Sequence, residues 1–136
     1  MAKSIYRDNV RKVDMKKTYS IILLTGVLIW TGAVLLRETS LMDNAIIRRL
    51  LWAAPNFGVV WAGVGFTYIL YPRFFNKDFD PGHTASLVGV ILALLLVAEF
   101  IHHFFLDSSF DVWDMAASAI AAVIVLLIYR FRRGKV

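Results

Sequence analysis

The sequence contains no cysteine, and this absence removes several kinds of chemistry. The chain can form no disulfide bond, bind no metal through a thiolate and use no thiol nucleophile, and its redox compartment cannot be inferred. It also lacks the G-x-S-x-G turn of serine hydrolases and the glycine-rich loops that hold nucleotide phosphates. Thiol enzymes, hydrolases of that type and phosphate-loop enzymes are therefore excluded.

Charge is also scarce along four stretches of the chain, whereas hydrophobic residues make up 59% of it. Residues 18–36, 53–71, 84–105 and 112–129 each approach the ~20 apolar residues that cross a bilayer. We therefore predict an all-α fold: one integral membrane four-helix bundle spanning residues 1–136, with a cytoplasmic arm at residues 1–16. Glu99 lies inside the third run, where an ionisable group is by default functional or paired.

Basic residues flank the apolar runs, where they would meet lipid phosphates, so the net charge of +5 indicates membrane topology and predicts no nucleic-acid partner. The positive-inside rule places both termini and the second loop, with Arg73 and Lys77, in the cytoplasm. The third loop, residues 106–111, has no Lys or Arg and faces outward. Only Arg37, Arg48 and Arg49 in the first loop depart from the rule. The terminal basic residues are Lys3, Arg7, Arg11, Lys12, Lys16, Lys17, Arg130, Arg132, Arg133 and Lys135.

The segment SLMDNAIIRRLLWAAP, between the first two runs, carries its apolar residues on roughly one helical face. This pattern predicts a short amphipathic helix on the outer leaflet, followed by Pro55 at the start of span two or at a kink. Ala54, Gly58 and Ala62 then form a stripe of small residues that lets helix backbones approach closely. We expect this stripe to pack inside the bundle. Span four has similar pairs at Ala117 and Ala121, and at Ser118 and Ala122.

The stretch EFIHHFFLDSSFDVWD, residues 99–114, concentrates acids and imidazoles between two apolar runs. On a helix, Glu99 can share a face with His102 or His103. Asp111 is the expected N-cap of the last span, and Asp114 lies in its first turn. We predict a polar pocket at the outer membrane face, where basic residues of the first loop compensate these acids. Its candidate residues are Glu99, His102, Asp111, Asp114, Arg48 and Arg49.

Two other interpretations of this cluster stay open. Imidazole and carboxylate suit zinc and related divalent ions, although the second E-x-x-H of di-iron proteins is missing. In the structural interpretation, Glu99 is hydrogen-bonded within the bundle and the histidines lie among lipid headgroups. We predict no cofactor. A metal site, if present, would draw its ligands from Glu99, His102, His103, Asp111 and Asp114.

Part of this sequence resembles a pattern of the VanZ-like family of small bacterial membrane proteins. The matching residues are Glu99, then Ser109, Phe110 and Asp111 as S-F-D, and then Asp114. In that pattern a Glu and a Gln three apart precede an R-S-F-D-x-x-D loop and a helix with Asn and Gly. The resemblance covers about residues 88–129. The D-K-x-x-H motif of the family is absent, with APNF at residues 54–57 in that part of the chain. The sequence also departs from the pattern at four positions: it has His102 where the pattern has Gln, Ser108 where it has Arg, Ser118 where it has Asn, and Ala121 where it has Gly.

The resemblance implies a multi-span cell-envelope protein, since the founding member is linked to resistance against teicoplanin-type glycopeptide antibiotics. We expect a non-enzymatic protein of the bacterial inner or plasma membrane whose outer pocket engages an envelope lipid, a glycopeptide-type compound or a partner helix. The alternatives are a proton- or cation-coupled small transporter component and a metal-dependent membrane enzyme that uses the Glu/His/Asp cluster. The expected partners are membrane lipids, and a homo-oligomer or a partner membrane protein is also possible.

Overall fold

A computed structural model describes residues 2–105 and 111–134, which form four long α-helices. Each helix contains a segment long and apolar enough to cross a membrane; the shortest, Val112–Arg133, has 22 residues, or about 33 Å of helix. The predicted all-α fold class with four spans is confirmed, and the chain is a multi-pass membrane protein. The helices are α1 (Ala2–Leu36), α2 (Ala45–Phe75), α3 (Thr84–Phe105) and α4 (Val112–Gly134), with short 3-10 turns at Ser40–Asp43 and Pro81–His83.

Helix α2 is the central helix, because it packs against α1, α3 and α4. The buried core includes Tyr19, Val60, Val64, Val88 and Val125, which come from all four helices. Many large apolar side chains point outward instead, and a surface of this kind is stable in lipid but not in water. Examples from each helix in turn are Leu28, Phe66, Leu94, Phe104 and Leu127.

Helices α1 and α2 approach so closely that only glycine fits at their contact. A Cβ atom on Gly26 would lie 2.5 Å from the backbone nitrogen of Ala62, and one on Gly58 would lie 2.7 Å from the carbonyl oxygen of Gly26. Gly58 and Ala62 belong to the stripe of small residues expected to pack inside the bundle. On the other side of α2, Trp61 Nε1 donates a hydrogen bond of 3.2 Å to the carbonyl oxygen of Ala121. The small residues of spans two and four therefore pack within one chain.

Two segments are continuous with longer helices. Residues 2–16, which belong to the expected cytoplasmic arm, are the first turns of α1. The expected amphipathic helix is continuous with span two in α2, which begins at Ala45 and runs through Pro55. Asn44 sets this early start, because its Oδ1 accepts hydrogen bonds from the backbone nitrogens of Ile46 at 2.9 Å and Ile47 at 3.2 Å.

A buried polar contact joins α1 to the start of α3. The Tyr19 hydroxyl donates to Thr84 Oγ1 at 3.0 Å, and Thr84 Oγ1 donates in turn to the carbonyl oxygen of Pro81 at 2.7 Å. The Tyr19 ring stacks on Tyr68 of α2, with 3.9 Å between ring centroids. Because each hydroxyl has a partner, this polar contact can be buried without an unsatisfied group.

Candidate polar site at one end of the bundle

The helix order brings the ends of α1 and α3 and the starts of α2 and α4 to one end of the bundle, called here the polar end. Asp111 caps α4, since its Oδ1 accepts a hydrogen bond of 2.8 Å from the backbone nitrogen of Trp113. The predicted N-cap is therefore confirmed. Glu99 Oε1 of α3 accepts a hydrogen bond of 2.8 Å from the backbone nitrogen of Asp111. The Glu99 carboxylate thus ties the last turns of α3 to the first residues of α4.

Asp114 occupies the first turn of α4, and one of its carboxylate oxygens has no partner. Its Oδ1 is buried and receives no hydrogen bond from any residue that the structure describes. The carboxylates of Asp111 and Glu99 repel its charge, whereas the Asn56 amide and the Arg37 guanidinium stabilise it. A buried acceptor without a donor costs about 1–3 kcal/mol. A hydrogen-bond donor or a positive charge near Asp114 would offset this cost.

Arg37, the first residue after α1, is held by the backbone of α2. Its Nη2 donates to the carbonyl oxygens of Leu51 at 3.0 Å and Trp52 at 3.1 Å, and its Nε donates to Leu51 at 3.2 Å. The Leu51 carbonyl would normally accept from the nitrogen of residue 55, but Pro55 has no N–H. Arg37 therefore supplies the donor that Pro55 lacks. The guanidinium also lies 4.1 Å from the centroid of the Trp52 ring.

Arg48 and Arg49 do not form the ion pairs expected of them. Among the residues the structure describes, neither lies within 4.0 Å of a carboxylate oxygen. Arg48 is exposed, and the guanidinium carbon of Arg49 lies 5.9 Å from the centroid of the Trp113 ring. The reason is the continuity of α2, which places Arg48 two turns before Asn56, about 12 Å along the helix axis. Arg37 is instead the cation that stabilises the charge on Asp114, and it too makes no ion pair within 4.0 Å among the described residues.

Both histidines of the stretch are exposed at the end of α3. His102 makes no hydrogen bond or ion pair with Glu99, and His103 packs edge-on against Phe104 with 5.0 Å between ring centroids. Within residues 2–105 and 111–134, no three His, Asp or Glu side chains are placed to share a metal ion. Three positions compared with the VanZ-like pattern, Ser108, Ser109 and Phe110, lie outside the described residues.

Reasoning from the sequence missed Arg37 and Asn56 as members of the site. Each had a local signal: Arg37 is the first charge after a long apolar run, and Asn56 is an amide next to Pro55 at the start of another. Neither signal identifies the partner, because the contacts join residues far apart in the chain. Only the packing of α1 and α4 on α2 brings both side chains to Asp114.

No protein-family model, curated protein or solved structure matches this chain. Of the six predicted pocket residues, the structure brings Glu99, Asp111 and Asp114 together. His102, Arg48 and Arg49 lie at its periphery.

Proposed function

We propose that this chain is a non-enzymatic, VanZ-like protein of the bacterial plasma membrane whose polar end binds an envelope lipid carrying a protonated amine. The observation that carries the proposal is the buried Asp114 Oδ1, which has no donor among the described residues and lies near two further carboxylates. An ammonium group supplies the N–H donor that this oxygen lacks, and it also supplies a positive charge. The ligand class is thus an aminophospholipid in the outer leaflet.

The surroundings of Asp114 support a ligand amine as the missing partner. Arg37, the cation that stabilises the charge on Asp114, already donates to two backbone carbonyls, so its donors are largely engaged. Trp113, on the first turn of α4, is 59% exposed and is an aromatic residue of the kind found at membrane interfaces. Glu99, Asp111 and Asp114 also match the acidic positions of the VanZ-like pattern. Their proximity is what a shared role in binding would require.

The test compares two phospholipids that differ at the amine. Phosphatidylethanolamine has three N–H donors, whereas phosphatidylcholine has a quaternary ammonium with the same charge and none. The protein would be reconstituted in bilayers containing both, and the lipids retained after extraction counted by native mass spectrometry. We expect preferential retention of phosphatidylethanolamine, with Asp114→Asn lowering that preference about ten-fold, as for loss of a charged hydrogen bond.

Two variants separate this role from folding. Glu99→Gln keeps an acceptor for the Asp111 nitrogen but removes one negative charge, so it should weaken phosphatidylethanolamine retention with little change in thermal stability. Glu38→Gln removes an exposed carboxylate at the same end and should have no effect on retention. Equal retention of the two lipids by the unaltered chain would contradict the proposal. Displacement of the lipid by a teicoplanin-type glycopeptide would show that such compounds compete for the same site.

A further inference from the structure

Arg49 of α2 is an exposed cation at the edge of the polar site. Its guanidinium carbon lies 5.9 Å from the centroid of the Trp113 ring. Within the described part of the chain, Arg49 makes no hydrogen bond or ion pair. A cation–π contact is an attraction between the ring and the charge, and it requires none of the N–H donors of the guanidinium. Arg49 therefore has donors available for a ligand.

Trp113 connects Arg49 to the acids of the site. Its backbone nitrogen donates to Asp111 Oδ1 at 2.8 Å, and Asp114 is the next residue in the first turn of α4. The Trp113 side chain is 59% exposed, so a headgroup can lie against it without entering an internal cavity. One exposed aromatic residue thus has a cation of α2 on its ring and carboxylates as its neighbours on α4.

The charge of the polar end as a whole does not favour a simple anion. Its described residues include three arginines and five carboxylates, which are Arg37, Arg48, Arg49, Glu38, Asp43, Glu99, Asp111 and Asp114. Asp107, in the loop before α4, lies outside the described residues. Because carboxylates outnumber cations, this end repels a free phosphate or a lipid with net negative charge. A phosphate is favoured here only when the same molecule brings a positive charge to the acids.

We propose that Arg49 binds the phosphate of the same lipid whose amine binds at Asp114, so that the site selects a zwitterionic phospholipid. This inference rests on the proposed function and adds a second subsite to it. In phosphatidylethanolamine a short ethylene bridge separates the phosphate from the ammonium group, so one headgroup presents both charges close together, as the site does around Trp113. The guanidinium of Arg49 also presents paired N–H donors that match phosphate oxygens.

The experiment compares two lipids that share a primary ammonium group. Phosphatidylethanolamine carries this group beside a phosphate, whereas oleylamine has no phosphate. The chain would be extracted from phosphatidylcholine bilayers containing one of the two lipids, and the retained molecules counted by native mass spectrometry, with helicity followed by circular dichroism. We expect Arg49→Gln to lower phosphatidylethanolamine retention about five-fold, the effect of one basic residue near an anionic group. Oleylamine retention should not change.

Arg48→Gln is the matched control, because it removes the same charge from the adjacent exposed residue. It should lower phosphatidylethanolamine retention much less. Equal losses in Arg48→Gln and Arg49→Gln would overturn the inference, because they indicate diffuse surface charge. An equal loss of oleylamine in Arg49→Gln would also overturn it, because Arg49 would then act without a phosphate. So would displacement of phosphatidylethanolamine by inorganic phosphate, or equal retention of phosphatidylglycerol, because the site would then bind a phosphate without an amine.

The inference and the proposed function fail with different results. A loss of phosphatidylethanolamine retention in Asp114→Asn but not in Arg49→Gln would overturn the phosphate subsite and leave the amine site intact. Unchanged retention in Asp114→Asn would overturn the proposed function, and the phosphate subsite with it.

Discussion

At the scale of single residues, Arg37 compensates for the N–H donor that Pro55 lacks. A proline inside a helix removes the donor for the carbonyl four residues earlier, and this cost is tolerated where another group supplies the bond. Arg37 does so for Leu51. It is also one of the groups that stabilise the charge on Asp114. A basic residue that departs from the positive-inside pattern thus has a structural role.

Arg37→Ala should lower the free energy of unfolding by about 1–3 kcal/mol, because the Leu51 carbonyl loses its donor inside the bundle. Pro55→Ala restores the helical N–H to that carbonyl, so in this background Arg37→Ala should cost about 1 kcal/mol less. Denaturant unfolding in detergent micelles measures the four chains of the cycle. Arg48→Ala is the matched control, since Arg48 is exposed. Equal costs of Arg37→Ala in both backgrounds would contradict the pairing.

At the scale of helices, the contact between α1 and α2 depends on glycine. Gly26→Ala should destabilise the bundle by about 1–3 kcal/mol, because the new methyl group meets backbone atoms of α2 that cannot move aside. Gly32→Ala is the control in the same helix: no atom lies within 4 Å of its added Cβ, so stability should change by less than about 1 kcal/mol. Thermal unfolding followed by circular dichroism compares them. Similar melting temperatures for the two variants would show that close packing at Gly26 contributes little.

The limits of prediction from sequence are also clearest at this scale. Local patterns predict the spans, the Asp111 cap and the packing role of Gly58, because each depends on residues within a few turns of one helix. The start of α2 at Ala45 was not predicted, because an amphipathic pattern ending in Pro55 also describes two separate helices. The hydrogen bond of Asn56 to Asp114 and the electrostatic effect of Arg37 on it depend on how three helices pack. The hydrophobic period of a single helix does not contain this information.

At the scale of the whole molecule, the two ends of the bundle differ in chemistry. Glu99, Asp111 and Asp114 lie at one end, where the cation Arg37 donates its hydrogen bonds to backbone carbonyls. The other end carries the exposed Arg130, Arg132 and Arg133. Four spans place both termini on one side of the membrane. The positive-inside rule then predicts that the basic end faces the cytoplasm and the acidic site faces the outside.

Because the chain contains no cysteine, single cysteine variants can test this orientation without background labelling. Ser40→Cys lies in the exposed turn before α2, and Lys77→Cys lies in the exposed loop after it. In intact cells, a maleimide that does not cross membranes should label Ser40→Cys, and it should label Lys77→Cys only after lysis. The reverse pattern would place Asp114 on the cytoplasmic side, and the amine-bearing ligand would then have to come from the inner leaflet. Labelling of both variants in intact cells would contradict an α2 that spans the membrane.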